Sequence, residues 1–291
     1  MSFWDSLDPQ YRLILCDIWG VVHDGVNLYP GAANRLQQWR SEGRCVVLIT
    51  NAPRTAEAVE AQLARIGLSR DAYDAVATSG EAGIEALNAL GRPVGFVGTA
   101  GDREILEGRG VWISDTDDFT DLACTGLEEG RPKVEDYKAD LESWAERDVH
   151  MHCLNPDRLV IRGGVPEACA GAIADIYEML GGRVTWYGKP YETIYGYALD
   201  HAGHPPKDEV LVIGDALQTG RGTQPKAPLG PVLQLDVAVG EEGLHAELRS
   251  GGVQKGEVVV SGPSDQQASV GERVQVGEGA LERNRGFPFL W

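Results

Sequence analysis

RLILCD at residues 12–17 and CVVLIT at residues 45–50 decide the fold. Both are short runs that stay apolar throughout instead of alternating, which is how strands covered on both faces of a parallel sheet read. Each ends in a polar residue, Asp17 in one and Thr50 in the other. Between them Ala32, Leu36, Trp39 and Arg40 fall at helical spacing, and Glu42-Gly43 supplies a stop. A second helix is expected over residues 55–66, closing at Gly67. Strand, helix, strand, helix favours a doubly wound sheet.

Working outward, the alternation continues with strands of its own expected at 94–97, 122–125, 149–153 and 159–161, and helices at 134–146 and 167–180. It then resumes with a strand at 184–187, a helix over 191–201 and the run EVLVI at 209–213, which ends at Gly214-Asp215. The expected architecture is α/β: a Rossmann-like parallel-sheet core made of residues 1–72 and 185–291, split around an inserted α/β domain of residues 73–184. Beyond Gly220 the chain is crowded with Gly, Pro, Gln and Glu; residues 232–239 still read as a strand, and the tail after about 251 is expected to be loosely ordered.

At 291 residues, 43% hydrophobic and 24% charged, the chain has the composition of a folded globular protein. Its 26 basic against 44 acidic residues leave −18, a field that repels nucleic-acid backbones and anionic lipid surfaces, so neither is expected as a partner. Any anion site must be locally positive against that field. The five cysteines are scattered through apolar runs and form no zinc pattern. No leader-like or membrane-spanning stretch is read, and a cytoplasmic setting is the expectation.

In an open parallel sheet, ligands bind beyond the carboxyl ends of the strands, so Asp17, Thr50 and Asp215 are expected to converge, joined by Gly188-Lys189-Pro190. Alone, each Asp or Thr reads as well as a turn residue or helix cap, and Lys189 as a solvated loop lysine. Together they make a site for phosphoryl chemistry. A carboxylate beside a divalent ion and an ammonium group can attack phosphorus, because the cations cancel its repulsion from an anionic substrate. The Thr50 hydroxyl and Asn51 amide can donate to phosphoryl oxygens, and Asp17 with Asp215 can hold Mg²⁺.

The order and spacing of CDIWGVVHDG (16–25), LITNAPR (48–54), YGKP (187–190) and VLVIGDALQT (210–219) resemble the haloacid dehalogenase-like hydrolase superfamily, subfamily IIA. So does CLNPDRLVIRGG (153–164) followed by CAGAIADIYEMLGG (169–182) inside the inserted domain, which the resemblance identifies as a cap of the C2 type. It implies a phosphatase-like hydrolase in which Asp17 attacks a small phosphorylated metabolite and forms an aspartyl-phosphate that water hydrolyses. Thr50 and Lys189 would assist. Mg²⁺ would be held by Asp17, Asp215 and the main-chain carbonyl of Trp19, and Asn155 and Asp157 would meet substrate from the cap together with Asn51. A homodimer through the cap is expected by analogy.

Two positions depart from that pattern. Phosphatases of the superfamily usually carry an Asp two residues after the nucleophile, which protonates the leaving group; this chain has Trp19, whose indole cannot transfer a proton at neutral pH. His23 or Asp24 could substitute, although a polar turn before Gly25 is the plainer reading. The other departure is Gly220, where an acid is frequent. Two alternatives therefore stand beside the phosphatase: a phosphate-ligand binding or regulatory protein with weak or no turnover, and a non-phosphatase member that breaks carbon–halogen or carbon–phosphorus bonds. His150 and His152 alternate on one strand and read as an edge or half-buried pair, Ser79 as a cap or turn residue.

Overall fold

The computed structural model describes residues 7–162 and 165–214, together with the backbone of two strands at 233–240 and 243–250. Strand β1 (Leu13–Asp17) lies between β2 (Cys45–Thr50) and β10 (Val210–Ile213), and β3 (Ala75–Thr78) pairs beyond β2, all parallel. The unbroken apolar runs follow from burial on both faces. Ile14, Cys16, Val46, Leu48, Leu211 and Ile213 enter one apolar cluster, while Leu13, Leu15, Val47, Ile49 and Val210 enter another. Each fully buried aliphatic side chain contributes about 1.5–3 kcal/mol of transfer free energy.

Helices α1 (Ala32–Ser41) and α2 (Ala56–Arg65) cover the first face through Leu36, Trp39, Val59 and Leu63. Helices α3 (Ser79–Leu90) and α7 (Glu192–Asp200) cover the second through Ala82, Ile84, Leu87, Ile194 and Ala198. Threonines cap two of them: Thr55 accepts from the Ala58 amide at 3.2 Å, and Thr78 from the Glu81 amide at 2.9 Å.

The second sheet, also four parallel strands, runs in the order β4 (Gly95–Val97), β5 (Asp121–Cys124), β6 (His150–Cys153), β9 (Arg183–Trp186). Helices α4 (Ala100–Gly108), α5 (Lys138–Glu146) and α6 (Ala170–Met179) connect its strands, and the antiparallel pair β7 (Leu159–Arg162) and β8 (Val165–Ala168) precedes α6. One face of this cap sheet is apolar, with Leu122, Cys124, Met151, Cys153 and Trp186 packed on Leu141, Ile173 and Tyr177. The other turns toward α3, where Ala123, Leu154 and Val94 share a cluster with Leu15 and Ile49 of the core.

Two expected boundaries move. β3 belongs to the core sheet, so the core's first segment extends past residue 73, and β9 pairs with β6, so the cap extends past 184 to Trp186. Both halves of the chain alternate strand and helix alike, and the local pattern does not say which sheet a strand joins. Residues 167 and 168 are strand, not the start of α6, because they pair with Val160 and Leu159. The strand expected at 232–239 is β11 (Leu233–Gly240), paired antiparallel with β12 (Gly243–Ser250). Residues 215–232 and the tail after 251 lie outside the described residues. Among the described residues no helix is long and apolar enough to cross a membrane.

Candidate active site

Parallel pairing sets the carboxyl ends of β1, β2 and β3 side by side: Asp17 is level with Ile49, and Thr50 with Thr78. Asp17 Oδ1 accepts a 2.7 Å hydrogen bond from the Ile18 amide, and Oδ2 is ion-paired with Lys189 Nζ. Both side chains are mostly shielded, 14% and 18% exposed, so the pair interacts more strongly than a surface ion pair while keeping a path to solvent. Within the pair the Lys189 ammonium offsets the charge of the Asp17 carboxylate, so the strand end is less repulsive to an anion than the net charge of −18 alone would make it.

Lys189 is placed by its backbone. The Asn51 side chain accepts from the Lys189 amide at 2.6 Å through Oδ1 and donates through Nδ2 to the Lys189 carbonyl at 3.1 Å and to Asp157 Oδ1 at 2.8 Å. One core amide therefore fixes the lysine and touches the cap. Asn155 Oδ1 accepts from the Asp157 amide at 3.2 Å, which makes Asn155-Pro156-Asp157 a tight turn over the site. Asn155 and Asp157 reach the rim with these oxygens engaged in protein contacts. Thr50 Oγ1 accepts a 3.3 Å bond from the Ala52 amide and keeps its proton to donate.

The turn lies so close that Gly188 has no room for a side chain. An added Cβ would stand 2.4 Å from the Pro156 ring and 2.6 Å from Asn51 Oδ1. Gly188→Ala is expected to cost about 1–3 kcal/mol by overpacking. Thermal melting checks it, and an unchanged melting temperature would show that the segment has slack.

Trp19 is half exposed, its ring laid over Gly25 and set edge-on to His23 at 5.6 Å between centroids. Gly25 has φ +99°, and an added Cβ would meet the indole at 2.4 Å, so the turn is shaped to the tryptophan. His23 is buried, its Nδ1 accepts from the Gly25 amide at 2.8 Å, and burial pulls its pKa below the ordinary value. Asp24 Oδ1 accepts from the Val26 and Asn27 amides at 2.8 and 2.7 Å. Both side chains hold the turn, as the plainer sequence reading expected.

Sequence reading missed one group here, Tyr195, while Cys16 packs in its apolar run as expected. Tyr195 on α7 is beside Asp17; burial and then that carboxylate's charge push its phenol up to about 12. Cys16 is fully enclosed, and burial, then Asp17, raise its thiol, so it is inert. Helical spacing to Ala198 and Leu199, three and four residues on, was the available signal for Tyr195. The Ser79 hydroxyl, at the start of α3, donates to the Leu154 carbonyl and ties core to cap.

An oxygen-loving ion fits this end of β1 in kind. Asp17 offers a hard carboxylate, and the Trp19 carbonyl accepts no hydrogen bond from the described residues. Gly214 closes the site on the β10 side, where a built Cβ would be 4.0 Å from Asp17 Oδ2; Asp215 lies just outside the described residues.

The family model for haloacid dehalogenase-like hydrolases matches residues 14–112. A haloacid dehalogenase-like hydrolase from Brucella suis 1330 is 35% identical, the similarity covering 74% of this chain and 82% of that one at a TM-score of 0.66. A p-nitrophenyl phosphatase from Archaeoglobus fulgidus is 27% identical over 71% of this chain and 79% of its own, with a TM-score of 0.57. A glycerol phosphate phosphatase from Mycobacterium tuberculosis, in complex with magnesium, shares the fold at 22% identity over 72% and 64% of the two chains and a TM-score of 0.58. No curated protein matches the chain. With β2, β3 and all of β1 but Leu13 inside the matched segment, and a relative at 35% identity over 74% of this chain and 82% of its own, the chain belongs to the haloacid dehalogenase-like hydrolase family.

Proposed function

We propose that the chain hydrolyses small phosphomonoesters through Asp17, and that Trp19 restricts it to esters whose leaving group departs without a proton. The observation that carries this is the shielded Asp17–Lys189 pair at the carboxyl edge of the sheet, joined through Asn51 to the cap. The ammonium of Lys189 draws in the phosphoryl group and offsets its repulsion from the carboxylate. An Asp17 oxygen attacks phosphorus, the ester P–O bond breaks, and the leaving oxygen carries away the electron pair. Water then attacks the phosphorus of the acyl phosphate, releasing inorganic phosphate and restoring Asp17. Thr50 donates to a phosphoryl oxygen. Mg²⁺, held by Asp17, the Trp19 carbonyl and Asp215, would when bound neutralise charge on the phosphoryl oxygens.

Among the described residues the turn that follows Asp17 offers no proton donor for the leaving oxygen, since indole is not one and His23 and Asp24 are engaged in that turn. Nitrophenolate leaves readily as an anion, and an alkoxide does not. Turnover of p-nitrophenyl phosphate with Mg²⁺ is expected to exceed that of glycerol phosphate by about 10²–10⁴-fold, the usual worth of general-acid help. Equal turnover of the two esters would sink the restriction.

A second reading is favoured by the same tryptophan: a protein that binds a phosphorylated ligand without consuming it. Calorimetry with inorganic phosphate and beryllofluoride, with Mg²⁺ present, separates the two. Uptake with no turnover of either ester supports the binding protein, and absence of uptake removes both readings.

A further inference from the structure

We propose that Asp121 Oδ1, His150 Nδ1 and His152 Nε2 form a binding site for one borderline divalent cation, of the zinc, cobalt or nickel kind, on the inner face of the cap sheet. The placement comes from strand periodicity. Residues two apart share a face, and β5 and β6 run parallel with Asp121 level with His150, so His150, His152 and Asp121 all point away from the apolar layer of Met151, Cys153 and Leu122. The three ligand atoms lie within 4.8 Å of one another. His152 Nε2 is 3.1 Å and His150 Nδ1 3.9 Å from Asp121 Oδ1. Donors around a tetrahedral zinc ion at its usual bond lengths are about 3.3 Å apart, so small side-chain shifts complete the set.

The surroundings are those of oriented ligands. The outer nitrogen of each ring is already held by a hydroxyl: His152 Nδ1 with Tyr187 Oη at 2.8 Å, and His150 Nε2 with Thr185 Oγ1 at 2.8 Å. With an ion bound, each outer N–H donates to that oxygen, which leaves the inner lone pair for the metal; such partners normally fix ligating histidines. The other carboxylate oxygen, Asp121 Oδ2, accepts from Arg92 Nε at 2.9 Å and from the Thr120 hydroxyl at 2.8 Å. Three donor atoms thus face one another, with His152 Nε2 and Asp121 Oδ1 sharing a hydrogen bond whose proton an ion would replace.

Two imidazoles and one carboxylate select borderline ions over Mg²⁺, which prefers oxygen octahedra. Asp121 and His152 are buried while His150 is half-buried, so water can fill the remaining positions and the ion has a way in. An ion here would cross-link β5 to β6 and, through Thr185 and Tyr187, to β9. This site is separate from Asp17 and does not depend on the phosphatase reading.

Isothermal titration of the full chain with ZnCl₂, in excess Mg²⁺, is the test, accompanied by Co²⁺ absorption and thermal melting. One zinc equivalent is expected, with visible Co²⁺ bands and a raised melting temperature. His150→Ala, at a half-buried position, is expected to weaken uptake by at least the roughly 100-fold that even outer-shell changes can cost, and to remove the bands and the melting shift. His152→Gln is a second probe, and Asp17→Asn should leave uptake unchanged. Uptake that survives His150→Ala, that disappears in Asp17→Asn, or that alkylation of the cysteines abolishes would overturn the site, as would no uptake by the native chain.

Discussion

Asp17→Asn is expected to reduce turnover of p-nitrophenyl phosphate to background. Removing the nucleophile from a catalytic group that acts as a unit costs on the order of 10⁶-fold, because no neighbouring atom takes its place. Here the reach of Asp17 is set by β1 and by the Ile18 amide on Oδ1, and asparagine preserves that hydrogen bond while losing the nucleophilic charge. The change also frees Lys189 from its partner. Inorganic phosphate should therefore bind the variant more tightly than the native chain, since one repulsive carboxylate is gone and the ammonium remains. That gain separates a chemical defect from a folding one, which would lose binding too. Turnover above about a hundredth of native would mean that another group attacks phosphorus.

The second large effect runs in the opposite direction. Trp19→Asp is expected to raise turnover of glycerol phosphate by about 10²–10⁴-fold while moving p-nitrophenyl phosphate little, because only the alkoxide needs a proton. Its structural cost should be modest. The indole is half exposed and rests on Gly25 and the edge of His23, and the turn retains its own hydrogen bonds from Gly25 to His23 and from Val26 and Asn27 to Asp24. A steady-state comparison of both esters on both proteins decides it. A native chain that already hydrolyses glycerol phosphate quickly, with no gain in the variant, would show that a donor other than residue 19 serves the leaving group.

Much of the site was legible because strand ends are strong signals. Asp17 and Thr50 each end an apolar run, and parallel pairing within the core sheet brings such ends together without further information, whereas Lys189 follows β9 of the cap sheet and reaches Asp17 only through the way the two sheets meet. What the residues at those ends touch was not legible. Nothing local shows that the Asn51 amide turns back to the Lys189 backbone and out to Asp157, since those partners come from 138 and 106 residues away. Helix α3 escaped notice because Ser79, Gly80, Glu81, Ala82, Gly83 and Ile84 are all buried, so its first turns carry no polar stripe. Strand β3, four residues long, offered too little apolar sequence to stand out. The histidine pair on β6 was placed on the right element, but its meeting with Asp121 depends on the register between two strands, which sequence alone leaves open.

The apolar layer in which Leu154, Val94 and Ala123 pack with Leu15 and Ile49 has an evolutionary consequence. A lid hung on two flexible connectors could be traded between relatives as a module. This one shares its interior with the catalytic half, so a transplanted lid would arrive with the wrong complement of side chains against α3. New substrate preferences in this lineage would accumulate one residue at a time around the rim, with the shared interior inherited intact.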